Sequence, residues 1–398
     1  MLDLLWLLLP VAAASGWYTA KWSEEKSPNN DVPNIPNEYV QGINFLVNEQ
    51  PDKALEVFIR FVEVDSDTIE THVVLGNLFR QRGEVDRAIR IHQNLIARPN
   101  LDKIHRATAL LELGRDYLKA GLLGRAEGLF KEVIAIGIQK EEAHQHLKEL
   151  YEQERDWEKA IDNAVSLQKT VALKQNGVIA HYYCELGGQA KQKQQLKTAE
   201  RMAKKALSYD RKCVRASILL GDLFVEKTDY KTAIKYYGNV FTQNLQYLSL
   251  VLPLIKRAHE ENGDLIGYQD YLQKIHNDHY ELSSILGLIE SYRERGDVQN
   301  LRVLLKEELE KQDVPLSLLR KYIQYVIDND GYDHPEVLHC IANALDHHLD
   351  AQISHQCVRC GFEVRGVFWQ CPSCHGWGTI QPRNENQANA LVDKHYSV

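Results

Sequence analysis

GNLFRQRGEVDRAIRIH, residues 76–92, recurs along the chain with small changes. Three further copies begin at Gly42, Gly114 and Gly221, and in every copy an alanine follows the glycine by twelve residues. An aromatic residue follows the glycine by three positions, and a large packing residue follows the alanine by four. Apolar residues at helical spacing on both sides of a polar turn are typical of two packed helices. The stretch therefore predicts a helical hairpin that is repeated many times.

The alanine position recurs at a nearly constant period. It is occupied by Ala54, Ala88, Ala126, Ala160, Ala199 and Ala233. Successive members are separated by 34, 38, 34, 39 and 34 residues, and Gly267 and Asn300 continue the series. This period resembles that of the tetratricopeptide repeat. Small residues should let the two helices of a hairpin approach closely, while aromatic residues fill the spaces between hairpins. We therefore predict an all-α superhelical solenoid over residues 35–350, with about eight or nine repeats.

Composition limits the classes of partner. The chain has 398 residues, 44% hydrophobic and 26% charged, and a formal net charge of −8. This length suits two or three domains of a globular protein. Proteins that bind phosphate backbones usually present a basic face, so the acidic balance disfavours nucleic acid as a partner. Cys184, Cys213 and Cys340 lie in segments with a helical pattern and are interpreted as small core residues, which suggests a reducing compartment.

The N-terminus predicts a membrane anchor. Residues 2–20, LDLLWLLLPVAAASGWYTA, contain one charged residue, Asp3. A helix of this length reaches about 28 Å, close to the thickness of about 30 Å of a bilayer core. We therefore predict a transmembrane anchor over residues 1–20. Lys21 and Lys26 follow it and favour a cytoplasmic location for the rest of the chain.

A cleaved signal peptide is the alternative interpretation of this segment, because residues 12–15 are small. No Lys or Arg precedes the apolar run, however, which favours an uncleaved anchor. Residues 21–34, KWSEEKSPNNDVPN, are polar and rich in Pro and Asn. That composition predicts a flexible tether between the anchor and the repeats.

The C-terminal region contains two Cys-x-x-Cys pairs separated by ten residues, CVRCGFEVRGVFWQCPSC. Two such pairs supply four thiolates to one tetrahedral ion. The sequence therefore predicts one metal ion bound by Cys357, Cys360, Cys371 and Cys374. The pattern resembles a rubredoxin or zinc-ribbon knuckle pair in a small β unit, residues 354–381. Tetrathiolate ligation leaves iron and zinc open, and two disulfides would be unusual in a cytoplasmic protein.

The metal-binding unit is too short to bury its own aromatic residues. About 28 residues cannot form a sufficient core unaided, yet the segment includes Phe362, Phe368, Trp369 and Trp377. We expect these rings to pack on the last solenoid helices, around residues 335–350. Residues 382–398 are predicted to form a polar tail.

The repeats predict a protein-binding groove rather than an active site. The concave face of such a solenoid is lined by the first helix of each hairpin. Candidate partner-binding residues on that face are Asn77, Arg80, Arg115 and Lys119, which could hold an acidic segment or a C-terminal carboxylate. An ordinary solvated face is the alternative. The body shows no catalytic constellation, so the sequence predicts a protein that is not an enzyme.

An anchor, a tether, repeats and a terminal CxxCG…CPxC unit, in that order, closely resemble the lipopolysaccharide assembly protein B family of Gram-negative bacteria. The stretches that carry the resemblance are LLLPVAAASGWY, GNLFRQRGEVDRAIRIHQ, HYYCEL and the cysteine cluster. It covers nearly the whole chain and weakens across residues 260–350 and after Pro382.

The resemblance implies a single-pass inner-membrane protein with a cytoplasmic body that regulates lipopolysaccharide synthesis. Members of the family act as adaptors that help a membrane-anchored AAA+ protease degrade the deacetylase that commits carbon to lipid A. A periplasm-facing inner-membrane regulator is thought to relieve this effect through the anchor. The resemblance also favours rubredoxin-type iron at the four cysteines.

Two other classes of function stay open at this point. A rubredoxin-type electron carrier would need iron and a redox partner. A generic assembly scaffold would bind proteins without any link to proteolysis. The sequence also leaves the oligomeric state open, a homo-oligomer included.

Overall fold

The computed structural model describes most of the repeats and the C-terminal unit. The described residues are 17, 37–48, 50–64, 69–171, 175–279, 281–311, 314–329, 335–351 and 355–383. Apart from Trp17, the predicted anchor and the tether lie outside them, as does the predicted tail beyond residue 383. No helix in the described part of the chain is long and apolar enough to cross a membrane.

The chain divides into two compact units, Met1–Ala143 and His144–Val398. The helices of the first unit are α1 (Asn37–Val47), α2 (Pro51–Val64), α3 (Ile69–Gln81), α4 (Val85–Ile96), α5 (Lys103–Lys119) and α6 (Leu123–Ile136). Helix α7 (Lys140–Glu154) spans the boundary.

The second unit contains the remaining helices and a small sheet. Its helices are α8 (Trp157–Val171), α9 (Asn176–Gln192), α10 (Leu196–Tyr209), α11 (Val214–Glu226), α12 (Tyr230–Gln243), α13 (Leu248–Glu261), α14 (Leu265–Asp278), α15 (Leu282–Glu294), α16 (Val298–Leu309), α17 (Leu316–Asn329) and α18 (Pro335–Ala351). A 3₁₀ turn, Leu245–Tyr247, connects α12 to α13. Each odd-numbered helix packs against the even-numbered helix that follows it, so the described residues form a series of helical hairpins.

The turn inside a hairpin is closed by one repeated hydrogen bond. The Glu84 backbone N–H donates to the Phe79 carbonyl, five residues earlier, at 2.9 Å. The same bond recurs with the donors Leu122, Asp156, Gln195, Asp229, Asp264 and Asp297. The residue before each donor has a left-handed backbone, as at Gly83 (φ 82) and Thr228 (φ 60). This helix-ending geometry satisfies carbonyls that the helix leaves unpaired, and it forms the polar turn predicted between the two helices of a hairpin.

The repeated glycine lies directly against a ring of the partner helix. A Cβ atom on Gly221 would lie 2.3 Å from Cε1 of Tyr237. The same contact joins Gly42 to Phe58, Gly76 to His92, and Gly114 to Phe130. The ring therefore fills space within its own hairpin, not between hairpins as expected, because it faces the glycine sixteen residues earlier. The predicted alanine positions from Ala54 to Ala233 are fully buried, with 0% exposure.

Gly267 and Asn300, which were predicted to continue the alanine series, are each wrong by one residue. Asn300 is exposed, whereas Tyr268 and Leu301 are 4% and 3% exposed and occupy the buried position. The shift by one residue is explained by the position at which the helix begins. Asp297 caps α16 by accepting a hydrogen bond from the Asn300 N–H at 3.2 Å, which holds Asn300 in the first turn. The buried position comes four residues after the capping aspartate.

The isolated cysteines differ in environment. Cys184 and Cys213 are 1% and 4% exposed, with their Sγ atoms 3.9 Å apart, and both thiols are free. Cys340 is exposed on α18, so its prediction as a core residue was wrong. The buried face of that helix is formed instead by residues such as Ala342.

The C-terminal unit is built around a three-stranded antiparallel sheet. Its strands are β1 (His355–Cys357), β2 (Glu363–Val364) and β3 (Ile380–Pro382), in the order β2-β1-β3. Cys357, Cys371 and Ile380 form its core, and Phe362 and Val364 pack against them. This core is small, so the unit depends on further contacts.

The contact between glycine and ring predicts opposite effects for two mid-helix glycines. Gly221→Ala should destabilise the fold by about 1–3 kcal/mol, because the new Cβ collides with Tyr237. Gly188→Ala adds a Cβ with nothing within 4 Å and should be neutral or stabilising by up to about 1 kcal/mol. Urea unfolding followed by circular dichroism measures both. Equal midpoints for the two variants would contradict the proposed close contact.

Candidate functional site

The four predicted cysteines converge at one end of the small sheet. Their Sγ atoms all lie within 4.8 Å of one another. Sγ of Cys357 is 3.7 Å from that of Cys374, and Sγ of Cys360 is 3.7 Å from that of Cys371. Cys357 and Cys371 are buried, whereas Cys360 is exposed. The structure thus brings together residues from both Cys-x-x-Cys pairs.

Both pairs use the same local turn. The Gly361 N–H donates to the Cys357 carbonyl at 2.9 Å, and the His375 N–H donates to the Cys371 carbonyl at 3.0 Å. Gly361 and His375 both have left-handed backbones, with φ values of 76 and 53. Each turn places its two thiols on the same side, where they can share an ion.

Hydrogen bonds prepare one of the thiols for ionisation. Burial of Cys357 opposes ionisation, but its hydrogen bonds with Thr379 and with the backbone of Cys360 and Arg359 outweigh burial and lower the pKa of the Cys357 thiol to about 6. The Gly376 backbone has the same effect at Cys374, yet burial and the neighbouring thiols together raise the pKa of Cys374 to about 11. Thiols this close repel as anions, and a bound cation removes that repulsion.

The donor set fits one tetrahedral metal ion. Metal–sulfur bonds of about 2.3 Å imply sulfur–sulfur separations of about 3.8 Å in a regular tetrahedron, and the two short separations are 3.7 Å. No other group of three or more potential ligands is found among the described residues. Four thiolates accommodate either iron or zinc, so the geometry supports the ligands without identifying the metal.

Trp377 attaches the metal-binding unit to the helices. Its indole Nε1–H donates to Oε1 of Glu152 on α7 at 2.9 Å. Its ring lies edge-on to Trp157 on α8 and to Tyr182 on α9, with centroid distances of 5.9 and 5.8 Å. It also stacks on His181 at 5.4 Å. The half-buried indole requires an acceptor for its N–H, and Glu152 provides one.

Glu152 is the polar centre of this contact. Its side chain is only 9% exposed, and it accepts hydrogen bonds from the Tyr182 hydroxyl at 2.5 Å and from the Gln370 amide at 3.2 Å. Burial and the adjacent carboxylate raise the pKa of Tyr182, so the hydroxyl keeps its proton as a donor. The carboxylate is thereby bound to residues of both the helices and the metal-binding unit.

Trp369 makes a second attachment point. It stacks on Tyr247 of the 3₁₀ turn at 5.8 Å and lies under the Arg215 guanidinium at 5.9 Å. The Tyr247 hydroxyl donates to the Ile380 carbonyl at 2.8 Å. Burial, together with the charge of Arg215, lowers the pKa of His181 to about 3. His181 is therefore a neutral ring between the two tryptophans at physiological pH.

The expected docking place around residues 335–350 was wrong. Trp369 and Trp377 contact α7, α8, α9, α11 and the 3₁₀ turn, which lie far earlier in the chain. Phe362 packs inside the metal-binding unit, and Phe368 remains 46% exposed. The metal-binding unit does not dock on the helix that precedes it in the sequence, because its tryptophans require aromatic partners and a buried hydrogen-bond acceptor.

Sequence reasoning missed the receptor for this unit. Its members are Glu152, Trp157, His181, Tyr182, Arg215 and Tyr247. The stretch HYYCEL contains two of them and stood out only as part of the family resemblance. Aromatic residues beyond those that the repeat requires, such as Tyr182 on α9, are the signal that could have identified the receptor.

In the first unit, the candidate groove residue Arg80 is occupied by its own fold. Its guanidinium contacts Oδ1 of Asp116 at 2.8 Å and Oε2 of Glu112 at 2.7 Å. It also donates to Oδ1 of Asn77 at 2.7 Å. The other oxygen of Asp116 lies 2.6 Å from Nδ1 of His92. Arg80 thus connects α3 to α5 through a carboxylate that is 0% exposed.

The other candidates differ in accessibility. Arg115 contacts Glu112 at 2.5 Å and Glu142 at 3.2 Å, whereas Lys119 is exposed near the end of α5. The partner-binding role of Asn77, Arg80, Arg115 and Lys119 stays a prediction. Of the three cations, Lys119 is the one whose replacement disturbs none of the ion pairs described above.

The metal site yields a direct prediction. Protein from its own host should carry one zinc or iron ion per chain, and Cys371→Ser should lose it and render residues 355–383 sensitive to protease. Metal binding supplies folding free energy to a unit this small. Elemental analysis and limited proteolysis measure the two effects.

Cys340→Ser is the matched control, because this thiol is exposed and outside the cluster, and it should keep its metal. Absence of both metals from the native protein would contradict the site. Loss of metal with unchanged proteolysis would contradict its structural role.

Arg80 yields a second prediction. Arg80→Met should destabilise the first unit by about 3 kcal/mol, because the buried Asp116 carboxylate loses its ion-pair partner. Lys119→Met, at an exposed position of the neighbouring helix, should change stability by less than about 0.5 kcal/mol. Thermal unfolding distinguishes the two variants. If Arg80→Met were as stable as the control, Arg80 would be available for a partner instead.

Two protein families match parts of the chain. The rubredoxin metal binding domain family matches residues 355–382, and the tetratricopeptide repeat family matches residues 71–104. These matches confirm the predicted repeat type and the predicted class of metal-binding unit. Among solved structures, the TPR2AB domain–pHSP90 complex of yeast Sti1 is 16% identical and covers 56% of this chain and 96% of that chain, with a TM-score of 0.26.

Two curated relatives match almost from end to end. Lipopolysaccharide assembly protein B of Escherichia coli strain K12 is 34% identical over 383 residues, which cover 96% of this chain and 98% of the relative. The protein of the same name from Haemophilus influenzae is 34% identical over 403 residues and covers 98% of this chain and 100% of the relative. Because the similarity includes both the repeats and the metal-binding unit, this chain belongs to the lipopolysaccharide assembly protein B family.

Proposed function

We propose that this protein is an adaptor without catalytic activity that acts in lipopolysaccharide assembly at the bacterial inner membrane. The observation that carries the proposal is the similarity to proteins named lipopolysaccharide assembly protein B, 34% identical over 96% of this chain. The tetratricopeptide repeats support the adaptor role, because such arrays present extended surfaces for binding other proteins.

The metal site supports a structural rather than a reactive role. Its two tryptophans are engaged with Glu152, Tyr247 and neighbouring rings, so the metal fixes the conformation of a unit that is attached to the helices. An ion held by four thiolates has no free position for a substrate. The C-terminal unit therefore serves to shape and stabilise a protein-binding surface.

The finer proposal concerns proteolysis. The repeats would hold the cytoplasmic deacetylase that commits carbon to lipid A, and the predicted anchor over residues 1–20 would place it beside a membrane AAA+ protease. A periplasm-facing inner-membrane regulator would act through the anchor. An adaptor of this kind raises the effective concentration of the client near the protease, and it adds no chemistry of its own.

The mechanism predicts that anchor and repeats must lie on one chain. Cells that lack the protein should degrade the deacetylase slowly, and the full chain should restore rapid degradation. A variant without residues 1–20 should bind the deacetylase in vitro but restore little degradation at native expression, because co-localisation is lost. Pulse-chase measurement of the half-life of the deacetylase tests this in cells.

Replacement of residues 1–20 by an unrelated membrane-spanning segment is the matched control and should restore degradation. Full activity of the anchor-free variant would rule out the co-localisation mechanism. An unchanged half-life in cells that lack the protein would favour a general assembly scaffold with no link to proteolysis.

An electron carrier is the second candidate, favoured by the exposure of Cys360, since rubredoxin-type sites exchange electrons through accessible ligands. It would require iron and visible absorbance that bleaches reversibly on reduction. A zinc-loaded protein that supports full degradation of the deacetylase would exclude electron transfer as the required activity.

A further inference from the structure

One segment carries a charge opposite to that of the whole chain. Residues 191–235 contain twelve Lys and Arg residues against five Asp and Glu residues, a formal net charge of +7, whereas the complete chain has −8. The segment runs from the end of α9 to the first turns of α12. Basic residues are therefore concentrated on neighbouring hairpins of the second unit.

The centre of this segment is the exposed face of α10. Four basic residues and a serine follow one side of the helix and line a shallow surface groove of about 530 Å³ with Glu200. They are Lys197, Arg201, Lys204, Lys205 and Ser208. The opposite side of the helix buries Ala199, Ala203 and Ala206. The basic residues thus form an outward-facing row, called here the basic face.

Acidic residues neutralise only part of the basic face. Glu200 pairs with Lys204 at 2.6 Å and also with Lys227 at the end of α11. Among the residues that the structure describes, no carboxylate lies within ion-pair distance of Lys197 or Arg201. A partner would therefore find two cations without an intramolecular ion pair at the centre of the face.

Neighbouring elements extend the positive charge. Lys193 in the turn before α10 and Arg211 after it are exposed, as are Lys231 and Lys235 on α12. Lys231 and Lys235 are four residues apart and so share one side of their helix. The surface is broader than a single helix, which suits an extended anionic partner better than a small ion.

We infer that the basic face binds the anionic surface of the membrane, through the phosphate groups of acidic lipids. Each Lys or Arg held near such a surface strengthens binding about fivefold, and the charges of the face and of the lipids are complementary. The choice of a membrane rests on the proposed membrane location, since the apolar residues 2–20 would keep the body close to a bilayer. The contact would restrict the orientation of the repeats beside it.

The test uses the full chain with vesicles of phosphatidylcholine alone or with about one third phosphatidylglycerol. Flotation measures association with the vesicles, and acetylation of lysines read by mass spectrometry measures protection. Lys197 and Lys204 should react at least threefold more slowly with the anionic vesicles, and about 0.5 M salt should abolish the difference because it screens surface charge. Lys306, whose side chain is 76% exposed on α16, should react equally with both.

Lys197→Glu combined with Arg201→Glu should abolish the protection of Lys204. The matched control, Lys274→Glu combined with Lys306→Glu, makes the same change in net charge at other exposed positions and should leave the protection intact. Both variants keep the buried alanines of α10, so both should fold.

The outcomes separate this inference from the proposed function. Flotation with both vesicles but equal labelling would overturn the basic face as a membrane contact and favour an acidic protein segment as its partner. Flotation with anionic vesicles alone would support the basic face and contradict the anchor. Failure to float with either vesicle would overturn both.

Discussion

The close contact between a glycine and a ring sixteen residues later sets the spacing of the helices in the hairpins that contain it. At Gly42, Gly76, Gly114 and Gly221, a Cβ atom would lie within 2.3–2.6 Å of that ring, so the helix axes can approach only because the side chain is absent. In the hairpins of Gly76, Gly114 and Gly221, a shared turn with a left-handed residue then reverses the chain. These two constraints fix the geometry of one hairpin, and stacking of hairpins buries the apolar surface that a single one leaves exposed.

The metal-binding unit depends on that array for its stability. Its own core consists of Cys357, Cys371 and Ile380, with few apolar residues around them. Trp369 leaves this core and packs on Tyr247 of the 3₁₀ turn, and Trp377 packs on Tyr182 of α9. Glu152 accepts hydrogen bonds from both sides, which makes the contact specific as well as apolar. Docking stabilises this unit, and a metal ion held by the four cysteines would stabilise the same unit through different bonds.

Features with local causes could be predicted from the sequence, and features that depend on distant contacts could not. The alanine positions and the four thiols follow from spacings within a hairpin or a knuckle. Trp377 and Glu152 are 225 residues apart, and the spacing of residues does not indicate which helix will offer a buried acceptor. Arg80 shows the same limit, because its position on α3 was evident but its partner Asp116, 36 residues later, was not. The shift at Asn300 arose because a capping aspartate, not the repeat period, determines where α16 begins.

Some of the charged residues that the structure describes are engaged in structural bonds within the protein, and others are exposed without such bonds. This difference decides which residues can be replaced to probe function. Arg80 is bound by Asp116 and Glu112, so a loss of activity on its replacement would report the stability of the first unit. Replacement of a candidate ligand cysteine has the same defect as a probe of redox chemistry, because we expect the loss of the metal to destabilise the whole unit as well. Lys119 and the cations Lys197 and Arg201 lie on exposed surface, where a change in charge leaves the described structural bonds in place. Residues of this second kind are the ones at which an effect on client or membrane binding can be separated from an effect on folding.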